Sequence, residues 1–135
     1  MIPPFNEHGY LPPGVYPATM DEVAARFGQQ SELRRVQVES LRWMIELARR
    51  AGVERIVLNG SFVTNEPEPN DVDCVLLVVP NFPRDRTAEV ELQRGLPFLQ
   101  IDLAVQDEFD VMINRFFATD RAQVPKGMIQ VVRWN

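Results

Sequence analysis

A single α+β domain, built on a small mixed β-sheet of about four strands with helices packed on one side, is what this sequence predicts, and three observations carry the prediction. The run Cys74 to Val79 (CVLLVV) is short, apolar and rich in branched side chains, so it reads as a strand buried on both faces. From Ser31 to Ala51, Leu33, Val36, Leu41, Met44, Ile45, Leu47 and Ala48 recur near the helical period, and Gly52 supplies a stop; this is a long amphipathic helix lying on the sheet. At 135 residues and 45% hydrophobic content, the chain suits one compact core.

The first 18 residues carry Pro3, Pro4, Pro12, Pro13 and Pro17 with Gly9 and Gly14, which rules out a regular helix or a central strand. They read as an extended arm preceding a domain of residues 19–135. Ile2, Phe5, Tyr10, Leu11, Val15 and Tyr16 make the arm too apolar to hang free. It should lie along the domain or along a neighbouring subunit, where it could support an oligomer. Thr19-Met20-Asp21-Glu22 is a capping box that opens a short helix through Phe27, and Gly28 ends it. Arg34, Arg35, Arg42, Arg49 and Arg50 fall mostly off the apolar face of the long helix and read as a solvated surface. Glu54 to Leu58 is a short strand; Pro80 to Pro83 is a loop; Thr87 to Arg94 is a brief helix ending at Gly95. Residues 98–105 form the next strand, Asp107 to Ala118 a helix, and Met128 to Trp134 a last strand after the Pro125-Lys126-Gly127 turn.

The formal net charge of −5 and the isoelectric point near 4.9 weigh against a broad nucleic-acid surface, which needs basic groups to neutralise phosphates; a small substrate or a protein partner is favoured. No uncharged apolar stretch approaches the ~20 residues that cross a bilayer, and prolines stand where a signal peptide would need a basic and then an apolar segment. A cytoplasmic protein with no membrane partner is expected. The single cysteine, Cys74, sits inside the apolar run and reads as a small buried hydrophobe. His8 is the only histidine, and without a second one it makes a poor candidate ligand or base.

Most of the chemically capable groups lie between Leu58 and Val79 (LNGSFVTNEPEPNDVDCVLLVV). Asp71 and Asp73 are two apart at the head of the apolar strand, so both carboxylates should project to one side. Carboxylates held together repel unless a proton or a cation lies between them, and hard oxygen donors suit Mg²⁺ or Mn²⁺. Gly60 allows a backbone to approach a bulky anion, and Ser61 offers a hydroxyl and an N–H at the start of a helical turn, where phosphates bind.

Gly60-Ser61, nine residues, then Asp71-Val72-Asp73 followed by apolar residues resembles the signature of the DNA polymerase beta-like nucleotidyltransferase superfamily in its minimal bacterial form. The opening Phe5 to Gly14 and the closing Phe116 to Gly127 resemble a short prokaryotic nucleotidyltransferase-like family of unassigned function. The resemblance implies a palm-like nucleotidyltransferase fold and a third carboxylate on a later strand, for which Asp102 in Gln100 to Val105 (QIDLAV) is the candidate. It further implies that Asp71 and Asp73 hold Mg²⁺ or Mn²⁺. Asp102 would complete the set and help deprotonate an acceptor hydroxyl, and Gly60 and Ser61 would hold a nucleoside triphosphate. Lys126, the one lysine among 14 basic residues, and Arg121 are candidate nucleotide contacts in the closing segment. One departure stands out: Pro67 and Pro69 permit only about a turn of the helix that the superfamily commonly places after its Gly-Ser pair.

Two other aspartate-pair chemistries fit less well. Haloacid-dehalogenase-type phosphatases place the pair after a strand, whereas here the strand follows it. Nucleotide-sugar glycosyltransferases generally need more chain. The leading expectation is therefore a metal-dependent nucleotidyltransferase that moves an NMP, AMP first among them, to a hydroxyl of a protein, an RNA end or a small molecule. The alternative is a catalytically inactive module of the same fold, acting as an antitoxin-like or regulatory binding protein; the shortened connector, acidic balance and apolar arm motivate it.

Overall fold

A computed structural model describes residues 2–116 and 118–135. Its elements are β1 (Val15–Ala18), α1 (Met20–Phe27), α2 (Glu32–Ala51), β2 (Arg55–Asn59), β3 (Val72–Leu77), α3 (Arg86–Arg94), β4 (Leu99–Ala104), α4 (Gln106–Val111) and β5 (Met128–Val131). A 3-10 turn, Ser61–Val63, follows β2, and a π-helical turn, Met112–Phe116, follows α4. The strands form one mixed sheet in the order β1-β5-β2-β3-β4. β2 runs antiparallel to both β3 and β5, whereas β1 is parallel to β5 and β4 to β3. The α+β class and the mixed sheet match the sequence-based expectation.

The sheet has five strands rather than about four, because the arm supplies one. Val15 to Ala18 pair in register with Met128 to Val131. Pro17 is accommodated because β1 is an edge strand, where a missing N–H interrupts no central ladder. The arm lies along its own domain. Gly127 N–H donates to the Leu11 carbonyl and Met128 N–H to that of Gly14, each at 2.9 Å, and the Leu11 side chain is fully buried.

The expectation of helices on one side also needs correction. Ile56, Leu58, Cys74, Leu76 and Ile129 point to one face, where they pack with Phe27, Leu41, Met44, Leu47 and Leu92 of α1, α2 and α3. Val57, Val75, Leu77, Ala104 and Met128 point to the other, where Phe109 of α4 and Ile113 of the π-helical turn cover them. The reason is visible in β3 itself: a strand apolar at both parities needs cover on both faces. Cys74 is a buried free thiol in that strand, and burial pushes its proton affinity well above the ordinary thiol range. On the second face, Phe109 of α4 and Ile113 cluster with Leu77 and Ala104 at one end and with Met128, beside Asn59, at the other.

Helix ends follow the sequence closely. Thr19 Oγ1 accepts from Glu22 N–H at 3.2 Å while Glu22 Oε1 accepts from Thr19 N–H at 2.9 Å, completing the capping box. Ser31 caps α2, and Gly52 closes it in the left-handed conformation at φ 90°. Residues 107–118 were expected to form one helix; the α-helical part instead ends at Val111 and passes into the π-helical turn, and Phe117 lies outside the described residues. The last strand stops at Val131 rather than Trp134.

Arg34 departs most from expectation. It is 2% exposed rather than solvated. One guanidinium nitrogen donates to the carbonyls of Phe27 and Phe62 at 2.9 and 2.8 Å, and the other to those of Thr64 and Glu66 at 3.0 and 2.5 Å. One turn along α2, Gln37 Nε2 donates to the Pro69 carbonyl at 2.7 Å. Together they fasten the proline-bearing connector between β2 and β3 to the start of α2. From the other side, Asn65 N–H donates to the Gly9 carbonyl at 3.0 Å, so the arm holds the same connector. The other arginines of α2 behave as surface groups, for example Arg42 paired with Asp21 at 3.0 Å and Arg50 with Asp85 at 3.2 Å.

Truncating Arg34 strands four carbonyls, so Arg34→Ala should lower the urea-unfolding free energy by about 3 kcal/mol or more. Arg34→Lys should recover only part of that, because an ammonium lacks the planar fork that serves several acceptors. Arg42→Ala, removing an exposed pair, should leave the unfolding midpoint unchanged.

Candidate functional site

The β2–β3 hairpin builds the centre of the site. Asn59, the last residue of β2, pairs directly with Asp73, so the two side chains share the sheet face that also carries Val57 and Val75. After Asn59 the chain turns at Gly60 with φ 82° and ψ −165°, a conformation that only glycine adopts readily. A Cβ at this position would collide with Oδ2 of Asp73, so the Asp73 carboxylate lies directly against the Gly60 backbone. Ser61 then opens the 3-10 turn and is half-buried. Thr64 closes it by donating its hydroxyl to the Ser61 carbonyl at 2.6 Å.

Asp73 is half-buried, and its proton affinity is raised. Burial is the largest cause; the charge of Lys126 opposes it, and the negative charges of Asp102 and Asp71 add to it. Asp102 comes from the neighbouring parallel strand. It stands opposite Val75, two residues along from the Asp73 level and on the same face. Asp71 precedes β3 and is exposed, so it is not the in-strand partner that its spacing suggested, although its charge reaches Asp73.

Lys126 stands just before β5, half-buried, and its charge acts on both Asp73 and Asp120. Asp120 Oδ2 accepts the Tyr10 hydroxyl at 2.7 Å, while its Oδ1 accepts Ala122 N–H and Val124 N–H at 2.8 and 2.9 Å. These bonds, that of Tyr10 first, hold the Asp120 carboxyl below its usual range and push the Tyr10 phenol up. Arg121 is exposed on the same turn and is not among the charges that set Asp73. His8 lies in the arm beside Glu7 at 3.5 Å. At the end of the hairpin Gly60 touches the Asp73 carboxylate, Ser61 follows in the chain, and the charges of Asp71, Asp102 and Lys126 act on Asp73, whereas that of Arg121 is not among them.

Two features escaped the sequence reading. The link from Tyr10 to Asp120 joins the arm to the segment carrying Lys126, across 110 positions of sequence. Asn59 is fully buried, and neither atom of its carboxamide has a hydrogen-bond partner among the described residues. A polar residue ending an apolar strand immediately before Gly-Ser was the available signal.

All the acidic donors at the site are carboxylate oxygens, which is the chemistry that hard divalent cations prefer. Among the described residues, however, no three His, Cys, Asp or Glu side chains are gathered into a ready-made metal cage. A cleft of about 310 Å³ lies at the far end of β3, lined by Glu54, Leu77 to Pro80 and Val105 to Asp107, and neither Asp73 nor Asp102 belongs to it.

Two measurements check this geometry. Gly60→Ala should cost about 2 kcal/mol or more in unfolding free energy, from the positive φ and the collision with Asp73. Because the folded state raises the proton affinity of Asp73, the penalty for ionising it is absent below the usual carboxylate range and grows as pH rises through its raised pKa. Asp73→Asn should therefore raise the melting temperature at neutral pH, and the gain should vanish in acid.

Comparison with known proteins gives one match: a family profile that covers residues 3–132, nearly the whole chain. No curated protein and no solved structure matches it. By that coverage the chain belongs to DUF6932, a family described as being of unknown function.

Proposed function

We propose that this protein is a metal-dependent nucleotidyltransferase of the polymerase beta-like type, which transfers an NMP, AMP first among them, from a nucleoside triphosphate to a hydroxyl. The single observation that carries this reading is the position of Asp73. It is half-buried against the backbone of Gly60, with Asp102 and Asp71 adding negative charge and Lys126 opposing them. Repulsion of that kind is relieved by a cation. Asp71, Asp73 and Asp102 would hold Mg²⁺ or Mn²⁺, which commonly binds through one or two carboxylates, waters and substrate phosphates. The cation supplies charge neutralisation at the phosphoryl oxygens.

The chain's own residues have separate tasks. The Gly60 and Ser61 backbone, at the opening of a turn, accommodates the triphosphate. Lys126 adds a compact positive charge that acts on Asp73. Asp102 accepts the proton of the acceptor hydroxyl. The acceptor oxygen bonds to the α-phosphorus while the bond to the pyrophosphate oxygen breaks, leaving pyrophosphate as the second product. The acceptor belongs to a protein, an RNA end or a small molecule; the net charge of −5 favours the first and last over an extended nucleic acid. No helix among the described residues is long and apolar enough to cross a membrane.

A second reading, a catalytically inactive binding module that pairs with a protein, is favoured by the connector. Residues 62–69 are tied to α2 through Arg34 and Gln37 rather than left free to fold over a triphosphate.

The test is incubation with Mn²⁺, labelled nucleoside triphosphates and a lysate. Wild type should label a product, and the double variant Asp71→Ala/Asp73→Ala should lose the label by about 100-fold or more. Equal labelling by the variant would contradict the assignment. Calorimetry separates the two readings: Mg-ATP binding abolished by Asp73→Ala supports the enzyme, and no nucleotide binding with tight protein association supports the module.

A further inference from the structure

A buried side-chain amide with no partner costs about 1–3 kcal/mol for each group left unsatisfied, so a sequence that keeps one needs a reason. Asn59 is such a residue at 0% exposure, and among the described residues neither its Nδ2 nor its Oδ1 has a partner, so turning the amide over leaves both unsatisfied. Its neighbours on that face are mostly apolar; Gln130, diagonal to it on β5, already accepts from Arg55. Val57 precedes it on β2, Val75 lies diagonally across on β3, and Met128 flanks it on β5, next to Ile129, which pairs with Leu58. Asp73 stands directly opposite. Facing residues in an antiparallel pair have Cβ atoms about 4.5–5.5 Å apart, close enough for a carboxamide to reach a carboxylate after a side-chain rotation. In the structure that carboxylate turns toward Gly60 instead.

We infer that Asn59 is a positioning residue of the site: its carboxamide donates to the carboxylate of Asp73 once a divalent cation is bound, fixing the orientation in which Asp73 holds the ion. The inference rests on the nucleotidyltransferase reading. The unsatisfied amide is then a cost of the unloaded state that binding removes, which couples loading of the site to order at the end of the hairpin.

Leucine has nearly the shape of asparagine without its polar atoms, so Asn59→Leu separates the two states. The full-length variant, free of metal, should melt at or above the wild-type temperature, because an unpartnered amide has been replaced by an apolar group. In a Mn²⁺ titration followed by electron paramagnetic resonance, it should bind about 10-fold or more weakly, the usual loss when the partner of a ligand is removed. Asn59→Ala, which is smaller, should show the same weakening if leucine fits badly. Unchanged Mn²⁺ affinity in either folded variant would overturn the inference while leaving the nucleotidyltransferase reading intact. So would a clear fall in metal-free stability for both variants, since the amide would then be bonded already in the unloaded protein. Wild type that binds no Mn²⁺, with or without ATP, would sink the reading and the inference together.

Discussion

The buried guanidinium of Arg34 is the constraint on which the rest of this structure depends. Placing a charge at 2% exposure is costly, and the cost is offset only because four carbonyls accept from it. Those carbonyls belong to the end of α1, the turn after Gly60-Ser61 and the connector beyond it. One side chain on α2 thereby fixes where the hairpin connector runs, and so where β3 begins. Its neighbour Gln37 extends the hold to Pro69, two residues before Asp71. A connector of this composition, with prolines at 67 and 69 and acids around them, has no regular structure of its own. Its order comes from α2 and from the arm.

That order gives the site its shape. Fastening the connector lets β2 and β3 pair up to Asn59 and Asp73, and places Gly60 against the Asp73 carboxylate. The parallel strand β4 then delivers Asp102 to the same face, and the turn before β5 brings Lys126. The apolar residues of that face pack on Phe109 and Ile113, and Asn59, Asp73 and Asp102 are its polar members. Asp73, Asn59 and Gly60 place repelling charge, an amide without a partner among the described residues and a turn that requires glycine next to one another at the end of the hairpin. Such concentrations of cost are characteristic of functional sites.

The sequence made the local elements legible and left the long-range ones hidden. The capping box at Thr19 and the stop at Gly52 are local patterns, and each formed where its residues indicated; the apolar run after Asp73 is a buried strand as expected but spans Val72–Leu77, ending two residues before Val79. The grouping of Asp73 with Asp102 was an expectation from resemblance; in the fold the two lie on neighbouring strands, and the negative charge of Asp102 raises the proton affinity of Asp73. Arg34 was misjudged because helical periodicity reports which face a residue occupies, not what a neighbouring loop brings to it. The strand role of Val15 to Ala18 was masked by Pro17, which excludes a central strand but not an edge. Helix α4 on the second face was implied by the apolar character of Val75 and Leu77, which needed cover that only a later segment could give. Tyr10 and Asp120 meet across a sequence distance that no periodicity encodes.

The central claim is that the hairpin end at Asp73 holds a divalent cation and a triphosphate. A crystal structure of the protein with Mn²⁺ and a non-hydrolysable ATP analogue, recorded for anomalous scattering, tests it most directly. The expected result is an anomalous peak coordinated by Asp73, with phosphate oxygens at the Gly60-Ser61 backbone. Density for the nucleotide elsewhere, or no peak at Asp73 under saturating Mn²⁺, would contradict it.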